Sequence, residues 1–433
     1  MVQINRRFLV AAILFLCLLR AVQTVVAASP LGLPGLVGGD FIAYETAGRI
    51  VDQGDIRRLY DLTLQQRVGD AIETAAGVPV AQRFRLAFDN PPPVVLLLAP
   101  LALLPTAAGL AVWTMLNVAC TLFVAWIFLR RTPPPGLTWL TLAFGLLVFW
   151  PDFLGFFYGQ MMGLVLLLYA LSAYWLRDDH PGRAGVALAL LAAIKPQYAV
   201  VLLLIVLVQW RWRAIVAAVL GGGVLALLSV VLVGLGGMRS YLGEIGALDP
   251  YRGNGAYLID PAVMVNWRAL LLHVAPSLPE TAGFLLTNIL AVGTIGVALL
   301  VWRRAINMGQ DPFGWPFLVA TAATLLAAYH SHIHGAALLL VPYLLLQDRP
   351  SPALQRLIAF AFWPPCLALI LLGPAALALR GAISLYFIAW LVAAIVTGWQ
   401  QTALVKRSVE GRGLPEANRA GIALAAMLTE GAT

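Results

Sequence analysis

Several short polar constellations interrupt an otherwise apolar chain, and each holds residue types that could do chemistry. Asp40 follows Gly38-Gly39 and directly precedes Phe41. An acid in a partly apolar setting holds its proton more tightly, and the raised basicity suits a general base. Lys195-Pro196-Gln197 interrupts a long apolar run; proline breaks a helix there, and the lysine offers a point charge suited to a phosphate. The plainer reading is a lysine that snorkels from the end of Leu188–Ile194 to the interface. Tyr329-His330-Ser331-His332-Ile333-His334 carries three of the five histidines. On a helix His330 and His334 would share a face, as metal ligands do, but no Glu, Cys or further His lies nearby to complete a shell. Hydrogen bonding or phosphate contact is the favoured use, with satisfied interfacial side chains as the alternative. Tyr158-Gly159-Gln160 is a fourth polar break.

The elements that must position these residues are set by composition. Of 433 residues, 61% are hydrophobic and 11% charged, whereas a soluble globular chain is roughly half apolar and a quarter charged. Apolar runs recur at lengths that fit a hydrocarbon core of about 30 Å, and helices are the element that can cross it. The expected fold is therefore all-α: a polytopic transmembrane bundle of about twelve spans, forming one integral membrane domain over 1–433. Phe8 to Ala28 resembles a signal peptide after Arg6-Arg7, but its length favours an uncleaved first helix. A polar first loop over 29–92 holds eight acidic residues and six arginines up to Asn90, with amphipathic pieces at Phe41–Gln53 and Leu59–Ala75. Later spans are expected at 110–129, 137–150, 160–176, 184–195, 198–209, 213–235, 283–302, 315–329, 335–346, 354–372 and 382–399. A second large loop covers 236–282, with a helical stretch at Val263–Val274, and 400–433 forms a tail. Three scattered cysteines, Cys17, Cys120 and Cys366, suggest no disulfide framework.

Orientation follows from arginine. The apolar piece 94–104 is short for a span. If it lies along the membrane, Arg130/Arg131, Arg177/Arg183, Arg211/Arg213, Arg303/Arg304, Arg349/Arg356 and Lys406/Arg407 all fall on one side, while the facing loops 151–159 and 330–334 carry no Lys or Arg. The positive-inside rule makes that side cytoplasmic. Both termini are then cytoplasmic in a bacterial inner (cell) membrane, and the net charge of +8 is topology charge rather than a nucleic-acid footprint. Asp40, Gln160, Lys195, the 236–282 loop and the histidines all face out. Ionisable groups gathered at one membrane surface mark a functional site. Asp178-Asp179-His180 resembles the metal-binding DxD of nucleotide-sugar enzymes, but it falls on the cytoplasmic side beside Pro181-Gly182, and a solvated turn is the better reading.

Gly39-Asp40-Phe41 with Tyr44, then Gly54, Leu59-Tyr60-Asp61 and Asn90-Pro91-Pro92, resemble the opening of glycosyltransferase family 87, a branch of the GT-C superfamily. The likeness continues through Tyr158-Gly159-Gln160, Ala193-Ile194-Lys195-Pro196-Gln197, the Trp210-Arg211-Trp212-Arg213 turn and the histidines leading into Leu338–Pro342. The resemblance implies a GT-C-like bundle with a large first extracytoplasmic loop containing juxtamembrane helices. It also implies an inverting transfer of a hexose, mannose by family default, from a polyprenyl-phosphate donor to a glycolipid or polysaccharide acceptor, with membrane lipid as the surrounding partner. Asp40 is the implied general base. Lys195, Arg268, His330, His332 and His334 are candidates to meet the charge of the leaving phosphate. Gln160, Gln197 and Tyr44 are implied sugar or acceptor contacts. No cofactor is expected, and no metal is obligatory. The 236–282 loop matches poorly beyond Asn266-Trp267-Arg268, and the spaced His-x-His-x-His leaves open which histidine matters. The rival class is a transporter or flippase of lipid-linked or small solutes, which would show paired repeats and a midplane site; neither is visible here.

Overall fold

The computed structural model describes residues 38–80, 83, 86–130, 145–255, 259–261 and 264–346, together with isolated positions in 15–22 and 384–396. Most of the first apolar helix and of the expected spans at 137–150, 354–372 and 382–399, together with the tail, lies outside the described residues. What is described is helical: β-pairing among the described residues is confined to two isolated bridges, Asn254 with Ile259 and Met264 with His332.

The first loop folds as the amphipathic spacing predicts, into α1 (Gly39–Asp52) and α2 (Leu62–Ala75). The Asp61 carboxylate caps α2 by accepting from the Leu64 amide at 3.1 Å. Helix α3 (Val95–Ala102) has only 8 residues and packs on α1, and α4 (Thr106–Leu129) follows Pro105. Helix α5 (Trp150–Tyr158) extends through residues expected to form the outer loop 151–159, because the chain there stays apolar. It ends at Gly159 in the left-handed conformation, φ 73°. Helices α6 (Met162–Arg177), α7 (Pro181–Ile194) and α8 (Pro196–Val208) follow. Pro196 forces the α7–α8 break by pushing Lys195 into extended backbone.

Helix α9 (Trp212–Leu248) carries the clearest difference from the expected map. Instead of stopping near 235, it bends where Gly234 takes a non-helical conformation (φ 72°, ψ 172°) and continues to Leu248. The second loop therefore begins at Asp249, contains α10 (Trp267–Val274), and leads to α11 (Glu280–Asn307) and α12 (Trp315–Ala327). The histidine segment then enters a tight 3₁₀ stretch, Ile333–Leu339, and α13 (Leu340–Leu346).

Among the described residues three helical stretches are long and apolar enough to cross a membrane: Thr106–Phe128, Trp212–Glu244 and Glu280–Asn307. Val219, Leu220, Val224, Leu227 and Val231 stand exposed along α9, an arrangement that suits a lipid solvent. Helices pack through small residues, as they must where lipid removes the hydrophobic drive between them. Gly163 lies against the backbone of Asn117, and Gly185 against that of Ala214, where an added Cβ would meet the carbonyl oxygen at 2.2 Å. At the basic end of the bundle, Trp126 stacks under the Arg130 guanidinium at 4.7 Å and Arg211 donates to the Leu176 carbonyl at 2.9 Å. The Asp178-Asp179-His180 segment is the turn there, with Asp179 at φ 56° and within 3.4 Å of Arg211.

The α7–α9 contact is testable. Gly185→Leu should cost about 1–3 kcal/mol by overpacking, whereas Gly222→Leu, with nothing within 4 Å of its Cβ position, should stay within about 0.5 kcal/mol. Thermal unfolding of the two detergent-solubilised variants checks this, and equal losses would refute the close approach.

Candidate active site

The site assembles where the start of α1 meets the end of α5. Gly38 precedes α1 with φ 75°, and its amide donates to the Phe157 carbonyl at 2.8 Å. A Cβ on Gly159 would lie 2.8 Å from the Phe41 Cβ and 3.2 Å from the Gly38 Cα. The Trp113 indole of α4 donates to the Gly159 carbonyl at 2.8 Å. These contacts set Asp40, in the first turn of α1, beside Gln160. Tyr44, one turn further on, donates to the Gln160 Oε1 at 3.1 Å and packs edge-on against Trp113. The Gln160 side chain also hydrogen-bonds Asp40.

Asp40 keeps part of its surface accessible, yet is densely surrounded. Burial pushes its carboxyl up to about 6, against the opposing pull of the Gln160 hydrogen bond and of Lys195 and His330, while Asp89 pushes the same way as burial. Asp89 is exposed and is held at the rim by its neighbours: Tyr60 donates to the Asn90 carbonyl at 2.6 Å and its ring sits 4.8 Å from that of Tyr241, on the bent end of α9. This anchors the Asn90-Pro91-Pro92 turn.

Lys195, at the α7–α8 break, is half-buried, and its ammonium makes no hydrogen bond or ion pair among the described residues; its charge acts on Asp40 and on the histidines. Gln197 faces the histidine segment and donates to the His330 carbonyl at 3.2 Å. That segment is extended at His332, so its histidines do not share a helical face. Their rings run in a row instead, with centroids 4.9 Å apart for His330 and His332 and 5.5 Å for His332 and His334. Burial first, then the His330 and Lys195 charges, push His332 well below the usual histidine range. His334 is buried, with its Cβ side against Gly155. Among the described residues no three His, Cys, Asp or Glu are grouped to hold a metal ion.

Arg268 is fully buried, and its donors are engaged internally. Nε donates to the Tyr251 carbonyl at 2.9 Å, one terminal nitrogen to the Pro250 carbonyl, and the other to Asp249 at 2.7 Å. The Asp249 carboxylate in turn accepts from His330 Nδ1 at 2.8 Å. Burial pushes Asp249 up, but His330 and Arg268 together hold it below the usual carboxylate range. The structure thus brings Asp40, Tyr44, Gln160, Lys195 and His330 into one neighbourhood, with Gln197 behind the histidines and Arg268 reaching it only through Asp249. Asp249 escaped the sequence reading; its one local signal is the helix stop at Asp249-Pro250, and its partner His330 lies 81 residues away.

The chain matches the model of glycosyltransferase family 87 over residues 88–329, more than half its length. The match includes Gln160, Lys195, Asp249 and Arg268, and its ends fall short of Asp40 and just before His330. No curated protein matches the chain. An apolar helical chain with this span of agreement belongs to glycosyltransferase family 87 and is a glycosyltransferase of the membrane.

Proposed function

We propose that the protein transfers a hexose, mannose by family default, from a polyprenyl-phosphate donor to a lipid or polysaccharide hydroxyl on the extracytoplasmic side, with inversion at the anomeric carbon. The observation that carries this reading is a carboxyl raised to about 6, partly accessible, with a lysine that has no ion-pair partner among the described residues acting on it. Asp40 is ionised at neutral pH, yet more basic than an ordinary aspartate, as a general base should be. It takes the proton of the acceptor hydroxyl as that oxygen bonds to the anomeric carbon. The bond from that carbon to the phosphate oxygen breaks, and its electron pair leaves with the polyprenyl phosphate. Lys195 and His330 meet the charge that develops there; Gln160 and Tyr44 hold Asp40 and the sugar hydroxyls near it. Fixed donors aimed at developing charge in a water-poor site supply the largest single share of such catalysis. The joint beside Asp40 and Gln160 meets α4 at Trp113, roughly 25 Å along the helix from Arg130 at its basic end, which supports a site toward the face opposite the arginines over a midplane transport path.

Membranes containing the wild type, Asp40→Asn or Lys195→Gln and fed radiolabelled polyprenyl-phosphate-mannose test the reading. Transfer should fall by about 10²–10⁴ in Asp40→Asn and by about 10²–10³ in Lys195→Gln at equal expression. Equal transfer by wild type and Asp40→Asn would sink the assignment of the base, and no transfer by wild type would remove mannose on this carrier as the donor.

A second prediction follows from the raised carboxyl. Wild-type transfer should rise with pH through about 6, as Asp40 loses its proton. Because its folded value lies above the unfolded 3.8, the folded state binds that proton more tightly, and stability falls as pH rises between the two values. Asp40→Asn removes the penalty, at most about 3 kcal/mol. Its melting temperature should exceed that of wild type at pH 8 and not at pH 4; the same difference at both would show an unshifted carboxyl.

A further inference from the structure

Asp249 has no task in the mechanism above, yet it is bonded to a residue that has one. Its two carboxylate oxygens are divided: Oδ1 accepts from Arg268 at 2.7 Å and Oδ2 accepts from His330 Nδ1 at 2.8 Å. Arg268 is itself immobilised, with its guanidinium 4.3 Å above the Tyr329 ring and its remaining donors on the carbonyls of Pro250 and Tyr251. The same loop grips the backbone on either side of His330. The Asn266 amide donates to the Ala328 and Tyr329 carbonyls at 2.9 and 2.8 Å, and the Val265 amide donates to the Ser331 carbonyl at 2.7 Å. The His330 ring is thus held by residues 249–268, which also grip the chain on either side of it, while Gln197 of α8 holds its carbonyl.

We propose that Asp249, clamped by Arg268, is a positioning residue: it holds the Nδ1–H of the His330 ring and so aims the Nε2–H of the imidazolium at the leaving phosphate beside Lys195. The proposal rests on the reading of the site as one that releases polyprenyl phosphate, and it selects one histidine of the three. The His332 and His334 side chains make no hydrogen bond or ion pair among the described residues; His334 is buried, and His332, half-buried like His330, has no carboxylate bonded to its ring. His330 is 30% exposed, is anchored at one nitrogen only, and acts electrostatically on Asp40. A stability role explains the arrangement poorly, because a buried ion pair recovers little more than its desolvation cost. Fixing a histidine tautomer and ring plane through a carboxylate is a recurrent way to ready the other nitrogen. The geometry also gives the bend at Gly234 a purpose, since it carries the end of α9 past Tyr60 and delivers Asp249 to the histidine segment.

The test uses full-length protein in nanodiscs with ¹⁵N-labelled histidine, His330→Gln to assign the His330 signals, and the exposed His180 as internal control. In Asp249→Asn the His330 Nδ1 signal should shift while that of His180 stays. Polyprenyl phosphate should perturb His330 Nε2 in wild type and not in Asp249→Asn. With a transferable donor, Asp249→Asn should lower kcat about 10–100-fold, as loss of a supporting carboxylate does elsewhere, with KM little changed. Asp249→Glu should recover part of that loss, and Asp249→Asn should add almost nothing in a His330→Gln background. A His330 signal indifferent to Asp249→Asn, or additive losses in the double variant, overturns the proposal. A wild-type His330 signal indifferent to polyprenyl phosphate overturns instead the reading of the site as one that releases that lipid, while the Asp249 comparison still decides the positioning.

Discussion

The near-contact of Gly38 with Gly159 governs the rest of the site. Both residues sit at positive φ, and a Cβ at either would meet atoms closer than 3 Å: Leu110 of α4 in one case, Phe41 of α1 in the other. Glycine is the residue that accepts both the backbone angle and the approach. Two hydrogen bonds of 2.8 Å, from Gly38 to Phe157 and from Trp113 to Gly159, lock the joint. Asp40 is two residues from one glycine and Gln160 one residue from the other, so their meeting follows from the joint with little left to side-chain freedom. The Asp40 carboxyl is set by backbone packing of α1, α4 and α5, which is more rigid than any arrangement of long side chains on loops.

Around that joint two aspartates of the same intrinsic acidity are driven apart by their surroundings. Asp40 has an amide as its bonded partner, and burial raises it to about 6. Asp249 is bonded by an arginine and a histidine, and is held low. Such divergence is what the proposed roles ask for, a base at Asp40 and a charged clamp at Asp249. Lys195 stands between these regimes: it has no carboxylate bonded to it among the described residues, so its charge is available to a ligand. The proline that follows it breaks the helix and leaves Lys195 in extended backbone between α7 and α8.

Much of this architecture could be read in the chain. Amphipathic spacing anticipated the helices at Gly39–Asp52 and Leu62–Ala75, and Pro196 the break at Lys195. The extension of α9 past residue 235 was not legible, since Gly234, Gly236 and Gly237 look like a helix stop and Arg239, Ser240 and Glu244 like a polar loop, whereas the helix resumes after its bend at Gly234. The helical face suggested for His330 and His334 also gave way, because Asn266 and Val265 hold the chain around His330 by its backbone and keep it extended at His332.

The sequence by itself determined the solvent this protein lives in, the helical class and the residue types able to act as base and cation, because composition and local periodicity are properties of neighbouring residues. Only the tertiary structure decided which acid partners which cation. Asp249 with His330, Tyr44 with Gln160 and Gln197 with the histidine backbone are pairings across 81 to 133 residues, and no local pattern encodes which distant segments the packing of glycines against backbone will bring together.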